Sequence, residues 1–405
     1  MKNQMTFRFP LPRFLMVSAA LVGSASAVGF RLPNQDPEGI ARGNAFSATA
    51  DNPSAIYYNP AGITQLDGTQ VSIGVYAIST NVNFVSDTGD TASTVPDPQA
   101  VPQIYFVHSP ENSSLSYGLG IYSPYGLGID YAGETPFPTL AEEGSLLYGT
   151  VNPVIAWQIS KTLSVAAGVT LNYSKIDISR TIGLMPGDEF EFEGDDFDAG
   201  FNLGVLWQPT EQWSFGLNYR SETKMSYEGE SRAYPYSGGE SRTSGEVTFP
   251  YFIVGGVSYR PNKYWNFEFN LDWTDWDSVN DTLLKGTFGG DQVFPFRYQS
   301  SFMYNFGITR SFDSGYFISA GYIYSENSIP NETLSPLNPD AALHLGSIGF
   351  GHRGETVSWA LGYHFAYNGG RKVSGNQTSS FLGETANGEF KIFNHAVNVS
   401  MRYHF

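Results

Sequence analysis

Asp51-Asn52-Pro53-Ser54-Ala55-Ile56-Tyr57-Tyr58-Asn59-Pro60-Ala61-Gly62-Ile63 is unlike anything that follows it in the chain. It sets asparagine before proline twice, at Asn52-Pro53 and Asn59-Pro60. An asparagine oxygen can cap the first turn of a helix, and proline there lacks only an N–H that would have been orphaned. The spacing therefore predicts two short helical turns. Ile40, Ile56, Tyr57 and Ile63 around them predict burial, because so much apolar surface needs a partner. After this stretch the sequence reads as strands and loops to its last residue.

Upstream, Lys2, Arg8 and Arg13 precede the apolar run Phe14-Leu15-Met16-Val17 to Leu21-Val22, which ends at Ala25-Ser26-Ala27. That is the pattern of a cleaved secretory signal, residues 1–27, with a mature start at Val28. The apolar core is too short for a spanning helix, and Arg31, Asn34 and Asp36 follow it closely. No other long uncharged apolar run occurs, so a membrane protein of this sequence crosses with strands. The chain has no cysteine, which excludes a disulfide scaffold and cysteine-based zinc sites. Loss of the signal would leave 19 basic residues against 39 acidic ones, a net charge of −20 that argues against nucleic acid as a partner.

Downstream, alternation predicts an all-β fold, a transmembrane antiparallel β-barrel of about fourteen strands. The expected spans are 69–85, 101–108, 116–126, 147–160, 162–178, 195–208, 212–228, 243–260, 264–279, 295–312, 315–327, 341–353, 356–368 and 389–405. Val357, Trp359, Leu361, Tyr363, Phe365 and Tyr367 take one face and Ser358, Ala360, Gly362, His364 and Ala366 the other. A soluble sandwich would alternate too, with its apolar face inward. Two features favour lipid outside: aromatics cluster toward strand ends, and tight turns such as 208–212, 260–264 and 353–355 alternate with long polar loops. An even strand number brings both ends of the barrel to the side of the short turns. The last strand alternates Val397, Val399, Met401, Tyr403 and a terminal Phe405.

Val28-Gly29-Phe30, Glu38-Gly39-Ile40-Ala41-Arg42-Gly43-Asn44-Ala45 and the opening motif together resemble the start of the FadL family of outer-membrane fatty-acid transporters. The resemblance implies an N-terminal hatch, residues 28–66, carrying Asn52, Pro53, Asn59, Pro60, Ala61 and Gly62 and plugging a barrel formed by 67–405. It further implies passive uptake of a hydrophobic small molecule, a long-chain fatty acid or, in a related branch, an aromatic hydrocarbon. A non-transporting adhesin or structural barrel is the competing reading, and a hatch speaks against it. The expected setting is a monomer in the bacterial outer membrane, among lipid and lipopolysaccharide, placed there by the insertion machinery that reads a terminal aromatic strand.

No catalytic signature appears: there is no Gly-x-Ser-x-Gly elbow, no His-Glu-x-x-His and no phosphate-cradling loop. His108, His344, His352, His364, His395 and His404 fall on separate strands, as lumen-lining polar groups would. The expectation is a non-enzyme without metal or cofactor. Asp188, Glu189, Glu191, Glu193, Asp195, Asp196 and Asp198 read as a solvated acidic loop, with a divalent-cation site as the sharper alternative. Glu268, Asp272, Asn218, Arg220, His364, Arg402 and His404 lie on the polar parity of their strands and are expected to hold the hatch. A fatty acid needs an apolar tunnel and a cation for its carboxylate. Tyr173-Ser174-Lys175-Ile176-Asp177-Ile178-Ser179-Arg180 resembles the family's basic region, so Lys175 and Arg180 are ligand candidates, with Lys175 on the lipid parity. Phe30, Arg220, Phe137 and Leu140 complete the candidate set. Finally, Ser123-Pro124-Tyr125-Gly126 interrupts the third strand, since proline removes a ladder donor. The resemblance implies an inward kink there, and through it a lateral opening in the wall.

Overall fold

The computed structural model describes residues 29–131, 133–236, 238–288, 290–377 and 383–405. The signal expected at 1–27 lies outside the described residues. Fourteen strands follow one another around a closed barrel, each antiparallel to its neighbours. They are β1 (Gly68–Ser86), β2 (Gln99–Ser109), β3 (Leu115–Tyr122 and Gly126–Asp130), β4 (Glu143–Ser160) and β5 (Leu163–Thr181). Next come β6 (Glu189–Trp207), β7 (Trp213–Arg220 and Thr223–Tyr234), β8 (Ser241–Phe249 and Phe252–Asn262), β9 (Trp265–Thr274) and β10 (Ser301–Ser311). The last four are β11 (Tyr316–Ser325), β12 (Leu343–His352), β13 (Val357–Tyr367) and β14 (Gly388–His404). β1 closes on β14 in register from Gln70 opposite His404 to Ser86 opposite Gly388. The seam leaves neither the first strand nor the last with an open edge.

The wall is inverted relative to a soluble protein. Ile73, Leu171, Phe201, Leu271 and Met401 stand exposed on the outer face, while Asn152, Asn202, Asn270 and Asn398 are wholly buried inside. Trp157, Trp207, Trp213 and Phe405 gather toward the end with short turns, where Arg310 lies 4.6 Å from the Tyr264 ring centroid and 5.1 Å from that of Trp265. Such amphipathic belts sit where hydrocarbon meets headgroups.

Several boundaries differ from expectation. The acidic run is strand rather than loop from Glu189 onward, because β5 and β6 stay paired to Thr181 opposite Glu189. β4 begins at Glu143, four residues before the expected 147, which places Leu146 in the wall. β9 ends at Thr274 and passes into a single 3-10 turn, Trp276–Ser278. β3 is interrupted at the stretch that Pro124 marks, with strand lost at Ser123, Pro124 and Tyr125. β7 and β8 carry interruptions of their own, at Ser221-Glu222 and Pro250-Tyr251.

Inside the barrel lie two short helices, α1 (Pro37–Ala41) and α2 (Ala55–Tyr58), and a 3-10 helix, Pro60–Gln65. Asn59 caps the last of these, accepting from the Ala61 N–H at 3.2 Å, with Pro60 in the first position. The Asn52-Pro53 turn acts two residues before its helix: Asn52 Oδ1 accepts from the Ser54 N–H at 2.9 Å, and Ser54 precedes Ala55. α1 was not foreseen, although Asp36-Pro37-Glu38 is the same kind of start, and Asp36 Oδ1 accepts from the Glu38 N–H at 2.9 Å. Asn52 Nδ2 donates to that Asp36 oxygen at 3.1 Å and so ties two helix starts together. Ile40, Ile56, Tyr57 and Ile63 are all buried, as are Ala45 and Phe46. Each large side chain fully removed from water contributes about 1.5–3 kcal/mol.

Candidate functional site

Inward-facing side chains of the wall grip the backbone of the N-terminal segment, which the sequence reading expects to act as a hatch. Asn202 Nδ2 donates to the Ile56 carbonyl at 3.2 Å, Asn218 Nδ2 to Tyr57 at 3.1 Å and Asn270 Nδ2 to Asn44 at 3.2 Å. Asn59 of the hatch reaches the other way, donating to the Val205 carbonyl at 2.9 Å. Arg31 meets Asp272 in a fork, at 2.7 and 2.9 Å, with its guanidinium 3.6 Å from the Phe252 ring centroid. Glu268 accepts from the Ala48 N–H at 2.8 Å and from the Thr49 hydroxyl, with Arg42 at 3.8 Å. Near the short turns, Arg353 pairs with Glu38 at 2.5 Å and Asp51 at 3.7 Å. The lumen charges Glu268 and Asp272 thus meet the hatch.

Above the hatch is an apolar cavity of about 490 Å³. Phe30, Phe249 and Tyr298 form its lower end, Phe192, Tyr227, Ile176 and Ile178 its sides. Phe30 packs edge-on against Phe249 and Trp276, with ring centroids 5.2 and 5.0 Å away. Arg180 lines the cavity near the loops. It donates to the Thr139 carbonyl at 2.9 Å and to the Gln292 side-chain oxygen at 2.5 Å, both neutral, while its Nε is buried without a partner. The volume suits a small-molecule site, and the mix of apolar walls with one convergent charge is the usual composition of one.

The candidates divide by position. Phe30, Leu140 and Arg180 line the cavity. Phe137 is wholly buried one layer behind it, between Phe84 and Tyr131 with centroids 5.1 and 5.2 Å away. Arg220 lies below the floor, donating to the Tyr122 hydroxyl at 2.5 Å among the rings of Tyr57, Tyr122 and Phe252. Lys175 is off the cavity, on the outer face of β5, and pairs with Glu193 at 2.5 Å. Asp177, Glu191 and Glu193 converge there within 4.8 Å, and the Lys175 ammonium already supplies a cation to the group. Phe192, Tyr227 and Phe249 were missed. A signal existed: Phe190 and Phe192 alternate with Glu189, Glu191 and Glu193, putting apolar groups on the lumen parity of a strand that has left the membrane.

Beside the kink, β2 has β1 as a partner along Gln99–Ser109, whereas its pairing with β3 stops at Ile104 opposite Ile121. The upper piece of β3 pairs with β4. The gap on its other side is met at its upper end by the segment after β1, where the Val95 N–H donates to the Asp130 carbonyl at 2.9 Å, and lower down from within by the N-terminal segment. Leu32 N–H donates to the Pro124 carbonyl at 2.8 Å, Gly126 N–H to Phe30 at 2.9 Å, and Gln35 Nε2 to Ser123 at 2.7 Å.

A closed fourteen-stranded barrel with an occupied lumen and an apolar cavity beneath its loops defines an outer-membrane channel for hydrophobic compounds. The chain matches, over residues 18–405, the family described as outer membrane protein transport protein (OMPP1/FadL/TodX), and it belongs to that family. The family is one of transport proteins, so the chain is a transporter and not an enzyme. It is 23% identical over 377 residues to the long-chain fatty acid transport protein of Escherichia coli O6:H1, covering 80% of this chain and 84% of that one. Outer membrane protein P1 of Haemophilus influenzae is 22% identical over 459 residues, covering 96% and 98%. Among solved structures, a Pseudomonas aeruginosa FadL homologue superposes with a TM-score of 0.82 at 17% identity, covering 93% and 100%. The Pseudomonas putida toluene transporter TodX gives 0.75 at 17%, covering 93% and 99%. At those identities the superpositions establish the fold alone.

Proposed function

We propose that this transporter takes up long-chain fatty acids, holding the carboxylate at Arg180 and the tail toward Phe30, and releases them sideways through the wall beside the β3 kink. The observation that carries the reading is a guanidinium lining an apolar cavity with neutral partners. A half-buried cation in an apolar cavity, with only neutral partners, favours an anion, and a carboxylate matches its fork. Arg180→Ala is expected to weaken fatty-acid binding by about 1.5–3 kcal/mol and to leave an aromatic hydrocarbon unaffected. Lys175→Ala serves as the contrast and changes neither. Equal loss for both ligands on Arg180→Ala would make Arg180 a scaffold and favour the hydrocarbon reading.

Lateral release is supported by the break in β2–β3 pairing above Ile121 and by a small cavity of about 50 Å³ there, lined by Val82, Gln99, Gly128 and Ile129. Leaving through the wall spares the tail a return to water, which costs roughly 0.8 kcal/mol per CH₂. Restoring the ladder with Pro124→Val and Gly126→Thr is expected to lower uptake while surface binding persists. Undiminished uptake through a wall shown to be closed would send the ligand down past the hatch instead.

A further inference from the structure

The three interrupted strands meet across the lumen. β7 and β8 are paired up to Arg220 opposite Phe252 and again from Thr223 opposite Phe249, so Pro250 and Tyr251 have left the ladder. The Pro250 carbonyl accepts a hydrogen bond at 2.8 Å from the hydroxyl of Tyr125, which stands on the β3 interruption. The Tyr125 ring lies against the residues that end the cavity, 4.9 Å from Phe249 and 6.0 Å from Phe30, and 5.0 Å from Tyr148. It is buried yet does not itself line the cavity: it sits below the floor, between the ligand space and the break in the wall. Tyr148 makes a similar tie, its hydroxyl 2.8 Å from Thr223 Oγ1, but from an unbroken strand.

We propose that Tyr125 is the latch of this exit: by bonding the β3 interruption to the β8 interruption it keeps its ring under Phe30 and Phe249, and release of that bond joins the cavity to the gap beside β2. The inference rests on the lateral-release reading and adds the group that controls it. The geometry suits a latch because both partners belong to segments free of the ladder, so the bond can break without unpairing a strand. A single neutral hydrogen bond is also weak enough to open on a transport timescale.

Tyr125→Phe keeps the ring contacts and removes the bond. Uptake of radiolabelled oleic acid by outer-membrane vesicles carrying this variant is expected to rise about two- to tenfold, the factor corresponding to one such bond. Oleic acid affinity should stay within about twofold, because the hydroxyl faces away from the cavity. Tyr125→Leu, which removes the ring as well, should raise uptake at least as far. Correctly folded barrel is scored by its heat-modifiable electrophoretic mobility. Unchanged or slower uptake in both folded variants overturns the latch, even if Pro124→Val with Gly126→Thr abolishes transport and so upholds lateral release. Faster uptake that survives wall closure does the opposite, keeping Tyr125 as a gate while overturning the lateral route.

Discussion

Arg31 and Asp272 are both buried, and each removes the other's need for water. Taking away one partner leaves an unpaired charge in a dry place, which costs far more than the intact pair contributes. Asp272→Ala is therefore expected to weaken the hold on the hatch by about 3–5 kcal/mol, read as faster protease cleavage between residues 30 and 62 from the short-turn side. Cleavage at the unmodified rate would show that the backbone bonds suffice. Two glycines test the fit differently. A Cβ on Gly216 would lie 2.1 Å from the Ser47 carbonyl oxygen, whereas one on Gly255 meets nothing within 4 Å. Gly216→Ala should displace the hatch and raise single-channel conductance in planar bilayers, and Gly255→Ala should not. Parity in the sequence was enough to turn Asp272 and Glu268 inward and Lys175 outward. It could not pair Asp272 with Arg31, 241 residues away, because only the closed barrel brings them together. Parity also set Lys175 apart from Arg180, and the two lie on opposite faces of β5, Arg180 lining the cavity and Lys175 paired outside with Glu193.

Proline reading succeeded in β3 and would have succeeded in β8, where Pro250 sits within an expected strand of 243–260 for the same reason. The β7 interruption at Ser221-Glu222 carries no such mark in the sequence, and it lies beside the Pro250-Tyr251 break of β8. The acidic run escaped because charge argues for loop, while pairing between β5 and β6 depends on alternation that the charges obscure. Their hairpin ends in a turn fixed by Asp188. Burial works to raise that carboxyl, and it is outweighed by the Tyr236 hydroxyl and the N–H groups of Gly183, Met185 and Leu184, which bring it down to about 2. A depressed carboxyl stabilises the turn fully above the ordinary carboxylate range and loses that contribution as pH falls through about 2. Amide exchange at Gly183, Leu184 and Met185 should thus stay protected from pH 7 to about 4 and lose protection only below it. Loss already near pH 5 would mean that the carboxylate does not hold the turn.

Topology was the most legible feature of all, because alternating short and long connections admit one antiparallel meander, and because a terminal aromatic strand has a place beside the first. The short helical turns of the N-terminal segment were legible by motif and the grip on them was not, since Asn202, Asn218 and Asn270 look like ordinary lumen residues until the Ile56, Tyr57 and Asn44 carbonyls arrive. If the hatch is what closes the tube, deleting residues 30–62 should raise single-channel conductance severalfold, through a lumen walled by Glu268, Asp272 and Arg220. Unaltered conductance would assign closure to the loops. The seam between β1 and β14 joins the first strand of the wall to the last, and the hatch precedes both in the chain. The last strand thus shuts the wall around a segment from the other end of the chain, so that the two extremes of the fold hold one another, the N-terminal segment within and the seam outside.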